Sequence, residues 1–588
     1  MIMDSDVVFG KSQKGGQVAL YQSVANPGHT FTFCVKSKKD DKNMSVRCQS
    51  CLTTNARYRK DGSVSKPVPF ISIVDGKWGD DPDNPKNAHF CVTDGVVNTS
   101  TSKAVARQVF RKAAQSCEVD AKKPKHVHNS MASSVTEELE RFRHDDELHL
   151  AVNRALPNKM NSRRTFSYHN TKSFDVINDV FAEFPEELQN PLSPKPPGVG
   201  NDESGNRWII YHEQDPQEEP MIVLASVVGL ACLRDVTHIA CDGNFKYNAT
   251  YKTRNDSDES VDKSFWQVYS LHSVYQDLPE RSESVLSVVA LLSSKTQPTY
   301  TKLFRKVRDA LIAEFGDIGQ PKHFHFDMEV AAMNACKAVF GECRITTCYF
   351  HFAKNVMDKV KKVGLAEYYS DATDHTFYNW LRTFIGSALL SRNLFDNIMW
   401  PYIEANAPEG RTAAENQLVQ QFLTYLRTYW CRFRSTWEQF DNDGPRTTNH
   451  AEGWHNQLRT LFNSVHPQLG LFMKEIRKEI NGQAIAGEKL LKREVQPKRR
   501  LRQSNRAEER MLLAKAKLLS YIDNLSETEI SLEVLKHYCK HQAYNCSRKA
   551  ITSLCVSVIR DEEDESFDIP DEPVIVPEAD IEEQLDFN

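Results

Sequence analysis

The chain has no apolar run long enough to cross a membrane. Its longest, Met221 to Leu233, is 13 residues and stops at Arg234, short of the roughly 20 residues that a spanning helix needs. The opening residues, MIMDSDVVFGKSQK, hold no apolar stretch of the secretory kind, so no secretory signal is expected. Cysteine is thinly spread, 14 in 588 residues and mostly single, unlike a disulfide framework. Net charge is also small. Lys and Arg total 74 against 79 Asp and Glu, a formal −5, and taken whole that disfavours a polyanionic partner.

The distribution of charge reverses that reading. Residues 1–130 carry 20 basic and 12 acidic side chains, residues 561–588 carry 13 acidic and no basic ones, and residues 131–560 are balanced at 54 each. A basic head, a neutral body and an acidic tail point the head toward nucleic acid.

Local patterns divide the chain further. The head, 1–130, is poor in helix patterns and has short alternating stretches (Phe31 to Val35, Phe70 to Val74) among Gly, Asp, Asn and Pro, which predicts a small β-rich module. Residues 131–206 read as a helical, charged segment ending in the Pro- and Gly-rich loop 190–206. Met221 to Leu233 reads as an apolar helix. Strands are expected at His238 to Phe245, Phe265 to Tyr275, Ser284 to Leu292, His323 to Phe326 and Ile345 to Phe350. Leu303, Val307, Leu311 and Phe315 recur every fourth residue, predicting an amphipathic helix, and a second helix is expected over 329–340. The order β-β-β-α-β-α-β is a mixed α/β sheet. Strand patterns vanish over 353–440, a helix resumes over 449–463, and 467–550 reads as helical. The acidic tail has the composition of a disordered segment.

Two aspartates stand at strand ends, Asp242 in ACDGNF and Asp327 in HFDMEV. Open α/β sheets bind ligands at such ends, and if the strands are neighbours the carboxylates converge on a site for Mg²⁺ or Mn²⁺. The alternative is an Asp-Gly turn at Asp242 and a helix cap at Asp327. Glu452 lies opposite a stripe of Trp454, Leu458, Leu461 and Phe462, on a polar face with Asn449, Asn456 and Arg459. That face looks into a cleft or into solvent, and Thr448 or Asn449 followed by Glu452 also fits a capping box. Cys348-x-x-His351 lacks two of the four ligands of a structural zinc site, which favours a buried Cys closing a strand beside a locally bonded His.

Taken in order, CDGNFK at 241–246, FDMEVAAMNA at 326–335, CYFHFAKNV at 348–356 and TNHAEGWHNQL at 448–458 resemble Mutator-like (MULE) DDE transposases over about residues 200–480. The resemblance implies an RNase H-like catalytic core whose first part is 207–365, a helical insertion over 366–445, and a catalytic helix within 446–480. It implies Asp242, Asp327 and Glu452 as a triad holding Mg²⁺ or Mn²⁺, and it places the family's Cys-x-x-His motif on Cys348 and His351. It further implies cleavage and strand transfer of double-stranded terminal-repeat DNA, nuclear localisation, and a homodimer or higher oligomer. A DNA-binding regulator of the same fold that does not cut is the alternative.

In the head, Cys48-x-x-Cys51 is followed after 37 residues by His89-x-Cys91, a ligand set for tetrahedral Zn²⁺ whose binding would help a small module fold. With a β-rich span expected between the pairs, this resembles FLYWCH and related WRKY-like zinc fingers, although Val46-Arg47 stands where that family carries Trp-Arg. Two unrelated Cys/His pairs are the alternative. His126-x-His128 is a rival pair in what reads as a linker. Residues 481–560 form a basic C-terminal region in which 489–517 holds 11 basic and 3 acidic residues. There Lys492, Arg493, Lys498, Arg499 and Arg500 are candidates for DNA contact, KREVQPKRR resembles a nuclear-import signal, and a solvated charged helix is the alternative.

Overall fold

A computed structural model describes residues 6–12, 16–93, 100–119, 124–170, 177, 179–254, 259–371, 373–442, 444–462, 464–500, 502–554 and 567. The chain divides into two compact units, Met1–Asp175 and Val176–Asn588.

In the first unit, six strands form an antiparallel meander: β1 (Val8–Lys11), β2 (Gln17–Gln22), β3 (Thr30–Lys38), β4 (Met44–Cys48), β5 (Phe70–Val74) and β6 (Lys77–Trp78). The sheet curls until its edges meet, where Asp6 bridges Lys77 and the Val7 N–H donates to the Gly76 carbonyl. Helix α1 (Gln49–Lys60) sits between β4 and β5, so the span between the cysteine pairs is part helix. Helices α2 (Thr101–Val119), α3 (Pro124–Leu139), α4 (Asp146–Ala155) and α5 (Lys159–Asn170) complete the unit. Two of them begin before residue 130, where the sequence read as poor in helix. Val18 and Leu20 of β2 share a core with Val105, Val109, Met131 and Val135. The expected linker around His128 is the start of α3, which opens on Pro124, a residue suited to the first helical turn. His128 Nε2 lies 3.1 Å from the Pro157 carbonyl oxygen.

The second unit opens with α6 (Glu186–Gln189), and its helices are built around a seven-stranded mixed sheet. Its strands are β7 (Ile209–His212), β8 (Met221–Leu224), β9 (His238–Asn244), β12 (Gln267–Leu278), β13 (Arg281–Leu292), β14 (His323–Phe326) and β15 (Arg344–Thr347), and β10 (Thr250–Arg254) with β11 (Ser260–Ser264) forms a separate hairpin. The spatial order is β15-β14-β9-β12-β13-β8-β7. β9, β12 and β13 pair antiparallel, while β14 and β15 run parallel to β9. This is consistent with an RNase H-like domain. α7 (Val227–Asp235), α8 (Gln297–Phe315) and α9 (Val330–Phe340) cover one face, where Tyr269, Phe304, Phe324 and Phe326 form the core. The other face packs on α17 (Asn449–Leu461) and α18 (Leu469–Leu491) through Leu224, Val268, Leu458, Phe472 and Ile476.

Between β15 and α17 the described elements are helical: α10 (Tyr349–Val363), α11 (Ala366–Tyr369), α12 (Thr376–Gly386), α13 (Arg392–Leu394), α14 (Trp400–Ala405), α15 (Ala413–Tyr425) and α16 (Arg434–Trp437). These share one aromatic core with α19 (Arg502–Ile522) and α20 (Leu532–Ile551).

Three expected elements differ. Met221 to Leu233 is a strand and then a helix, because Ser226 caps α7 by accepting from the Gly229 N–H, while Met221–Leu224 pairs with β13. The expected strand Ile345 to Phe350 stops at Thr347, whose carbonyl accepts the Gln439 side chain, and Phe350 is already in α10. Residues 467–550 are not continuously helical: α18 and α19 are separated by 492–501, where Pro497 lies and Arg493 takes a positive φ of 56°. The acidic tail 561–588 lies outside the described residues apart from Phe567, which is buried against Tyr538 and His537.

Candidate functional site

Asp242 is the fifth residue of β9, and the strand continues to Asn244, so it does not open a turn. His325 pairs with Ala240 in the parallel ladder of β14 and β9, and extending that register by two residues sets Asp327 opposite Asp242. The two carboxylates lie side by side at the carboxyl ends of adjacent parallel strands. Asp327 does not cap α9: its Oδ1 is buried with no hydrogen-bond partner among the described residues, and Glu329 occupies the N-cap position. Burial, reinforced by the negative charges of Asp242 and Glu329, pushes the Asp327 carboxyl up to about 7. Crowded, desolvated carboxylates of this kind are stabilised by a cation.

Helix α17 supplies the rest. Trp454 and Leu458 bury its apolar side, and Trp454 meets His272 edge-on. Its polar side turns Glu452 and His455, three residues apart, toward the strand ends. His455 Nδ1 is 3.3 Å from Asp242 Oδ2, and its Nε2 is 3.3 Å from Ser270 Oγ, which in turn lies 3.1 Å from His272 Nε2. Glu452 Oε1 is 3.4 Å from His351 Nε2. Of the two orientations open to the Glu452 face, the structure takes the one toward the strand ends. The N-cap, Thr448, makes no side-chain capping bond.

The Cys-x-x-His pair joins these pieces. Cys348 does not close the strand but stands at the N-cap of α10, buried, and its Sγ accepts the Thr448 N–H at 3.4 Å. The Tyr349 N–H donates to the Arg446 carbonyl. The start of α17 is thereby tied to the end of β15. His351 faces Glu452 and also interacts with Cys348, three residues before it. Burial lowers its basicity, but the Cys348 thiol and the charges of Asp327 and Glu452 outweigh burial and push it up to about 9.

Sequence reasoning missed two residues here. His455 was discoverable as the neighbour one turn on from Glu452. Glu329 was discoverable as the acidic residue two along from Asp327. Glu329 Oε2 is buried with no hydrogen-bond partner among the described residues, and burial, with the nearby Asp242 charge, raises its carboxyl above the usual range despite the hydrogen bonding of Tyr300 to that carboxyl.

In the first unit, Cys48 ends β4, Cys51 lies in the first turn of α1, and His89 and Cys91 follow β6. Their donor atoms all lie within 4.8 Å of one another. Cys48 Sγ is 3.9 Å from Cys91 Sγ, and His89 Nδ1 is 3.8 Å from Cys51 Sγ and 3.9 Å from Cys91 Sγ. A tetrahedron with zinc–sulfur bonds of ~2.3 Å has sulfurs about 3.8 Å apart, so the four residues fit zinc. His89 Nε2 lies 3.1 Å from the Pro82 carbonyl, and its ring stacks on Phe31 at 3.9 Å. Such an outer contact directs Nδ1 at a metal. The Cys48 thiol is pushed well above its usual value by hydrogen bonding with Cys51 and Cys91 and by burial.

Most of the basic candidates face acidic partners. Lys492 pairs with Glu488, Arg493 with Asp235, Lys498 with Glu283 and Arg500 with Glu508. Arg499 forms a backbone bridge to Arg281 beside β13.

Residues 268–355 match the family model of the MULE transposase domain. The match runs from β12 into α10 and includes Asp327, Glu329, Cys348 and His351, while Asp242 and Glu452 lie on either side of it. No curated protein matches the chain.

Proposed function

We propose that this chain, which carries a MULE transposase domain, is a metal-dependent DNA transposase that cuts and rejoins double-stranded terminal-repeat DNA through Asp242, Asp327 and Glu452. One observation carries the reading: Asp242 near the end of β9 and Asp327 just past β14 lie close enough for each charge to act on the other, and α17 turns Glu452 toward the same strand ends. The orphaned Asp327 Oδ1 and Glu329 Oε2 provide the oxygen-rich, desolvated surroundings that Mg²⁺ or Mn²⁺ prefers. Asp242 and Asp327 would hold the cations between them and Glu452 would complete the second position. Bound there, the metal supplies a Lewis acid that activates a water or a 3′-hydroxyl and stabilises charge on the phosphoryl oxygens. His455 orients Asp242 through its bond to that carboxylate, and His351 holds Glu452. Ser270 and His272 fix the His455 ring from behind.

The first unit is read as a FLYWCH/WRKY-like zinc module that presents its basic surplus to DNA phosphates. Zn²⁺ would sit on Cys48, Cys51, His89 and Cys91. Action in the nucleus, and a dimer or larger assembly that brings two transposon ends together, belong to the same reading.

The test is cleavage of DNA carrying the element's terminal repeats, with Mg²⁺ or Mn²⁺. Asp242→Asn, Asp327→Asn and Glu452→Gln are each expected to lower the rate at least about a hundredfold while leaving DNA binding intact. Full cleavage by Asp242→Asn would refute the assignment. A wild-type chain that binds the repeats but leaves them uncut with either metal is instead a non-cleaving regulator.

A further inference from the structure

Three histidines stand at the other end of the strands that carry the two aspartates. His238 opens β9, His323 opens β14, and His325 follows two residues on. Alternation along a strand puts residues 238, 240 and 242 on one face, and 323, 325 and 327 on the face beside them. The histidines therefore line the face that bears Asp242 and Asp327, with His325 about 7 Å and His238 about 13 Å back along the strands at ~3.3 Å per residue.

One ring nitrogen from each histidine lies within 4.8 Å of the other two. His238 Nδ1 and His325 Nε2 are 3.0 Å apart, near the roughly 3.3 Å edge of a tetrahedron with metal–nitrogen bonds of ~2.0–2.1 Å. Thr346 on β15 supplies the outer contact: its Oγ1 is 2.9 Å from His323 Nε2 and 2.9 Å from His325 Nδ1. In the tautomers in which Thr346 Oγ1 accepts an N–H from each ring, the remaining nitrogen of each is a lone-pair donor. Arg344 directs its Nη1 to the Asp441 carbonyl, 2.7 Å away. Gly444 closes over His238 so tightly that a Cβ there would strike the ring.

We propose that His238, His323 and His325 supply three ligands of a site for a divalent transition-metal ion of the zinc class, which staples β9 to β14. The all-nitrogen donor set selects against Mg²⁺ and Ca²⁺, which prefer oxygen. The staple spans the parallel pair whose register sets Asp327 beside Asp242, so it holds that register from the opposite end. The site is separate from the carboxylates and does not depend on the reading of them as catalytic.

The test is zinc content per full-length chain in an Asp242→Asn/Asp327→Asn background, where the carboxylate site is disabled. Two zinc ions per chain are expected, falling to one on His238→Gln or His325→Gln, and to one on Cys51→Ser. The Cys51→Ser chain reconstituted with Co²⁺ is expected to show d–d absorption without thiolate charge transfer, a readout that needs no histidine variant to fold. One zinc in the starting chain and none in Cys51→Ser, with no Co²⁺ spectrum there, would overturn the proposal. So would two zinc ions retained in both His238→Gln and His325→Gln.

Discussion

Asp327 Oδ1 and Glu329 Oε2 are buried carboxyl oxygens with no hydrogen-bond partner among the described residues, close to the Asp242 carboxylate. Like charges in a desolvated pocket destabilise the metal-free fold. Asp327→Asn is therefore expected to raise the denaturation midpoint in EDTA while abolishing cleavage, and a lowered midpoint would contradict the crowding argument. Glu329→Gln is expected to raise the Mn²⁺ concentration for half-maximal cleavage by about tenfold or more, read by metal titration. An unchanged midpoint of that titration would remove Glu329 from the site. Asp242 and Asp327 were legible as candidates because each ends an apolar strand pattern. Whether they were turn and cap residues or paired ligands was not legible, since that choice depends on which strand lies beside which.

At the level of single elements, α17 is positioned by its apolar side and by the bond from Thr448 to Cys348. Leu458 is fully buried, so Leu458→Ala is expected to cost about 2–5 kcal/mol, measured by chemical denaturation. The amphipathic stripe of α17 was plain in its sequence, because 3.6-residue periodicity is a local property. The direction in which its polar face looks was not, because solvent and a cleft select the same residue types. Helix α7 shows a second kind of hidden information. Lys322, on the segment leading into β14, donates from Nζ to the carbonyls of Leu233, Arg234 and Val236 at 2.8, 2.9 and 2.7 Å. It satisfies the end of a helix 86–89 residues earlier in the chain, where carbonyls lack partners within the helix. Lys322→Met is expected to destabilise the fold by about 1–3 kcal/mol, again read from the denaturation midpoint. Nothing near Lys322 in sequence announces that role.

Across the whole molecule, each of the two units has cores of its own. Stripping metal from the Cys48, Cys51, His89 and Cys91 cluster is expected to expose β2–β5 and α1 to amide hydrogen exchange while β12 and β13 stay protected. Equal loss of protection in both units would count against a zinc-dependent first unit. The net charge of −5 sums a basic head and an acidic tail, and that much came from sequence alone. So did the order of β9, β12, β13, β14 and β15 with α8 and α9 between them, though not the strands β7 and β8 at one edge of the sheet, together with the ligand spacing of the cysteine pairs and the resemblance carried by four short strings in order. All of these are local or linear properties, set by side-chain periodicity and by chain order. Tertiary structure decided the rest: Asp327 beside Asp242, His455 and His351 against two of the carboxylates, Cys348 under the start of α17, and three histidines gathered at the far strand ends. The physical reason is common to them. Parallel pairing of β9 with β14 joins residues 85 apart (His238 and His323), and convergence across such a distance follows from sheet order and register, which no local pattern encodes.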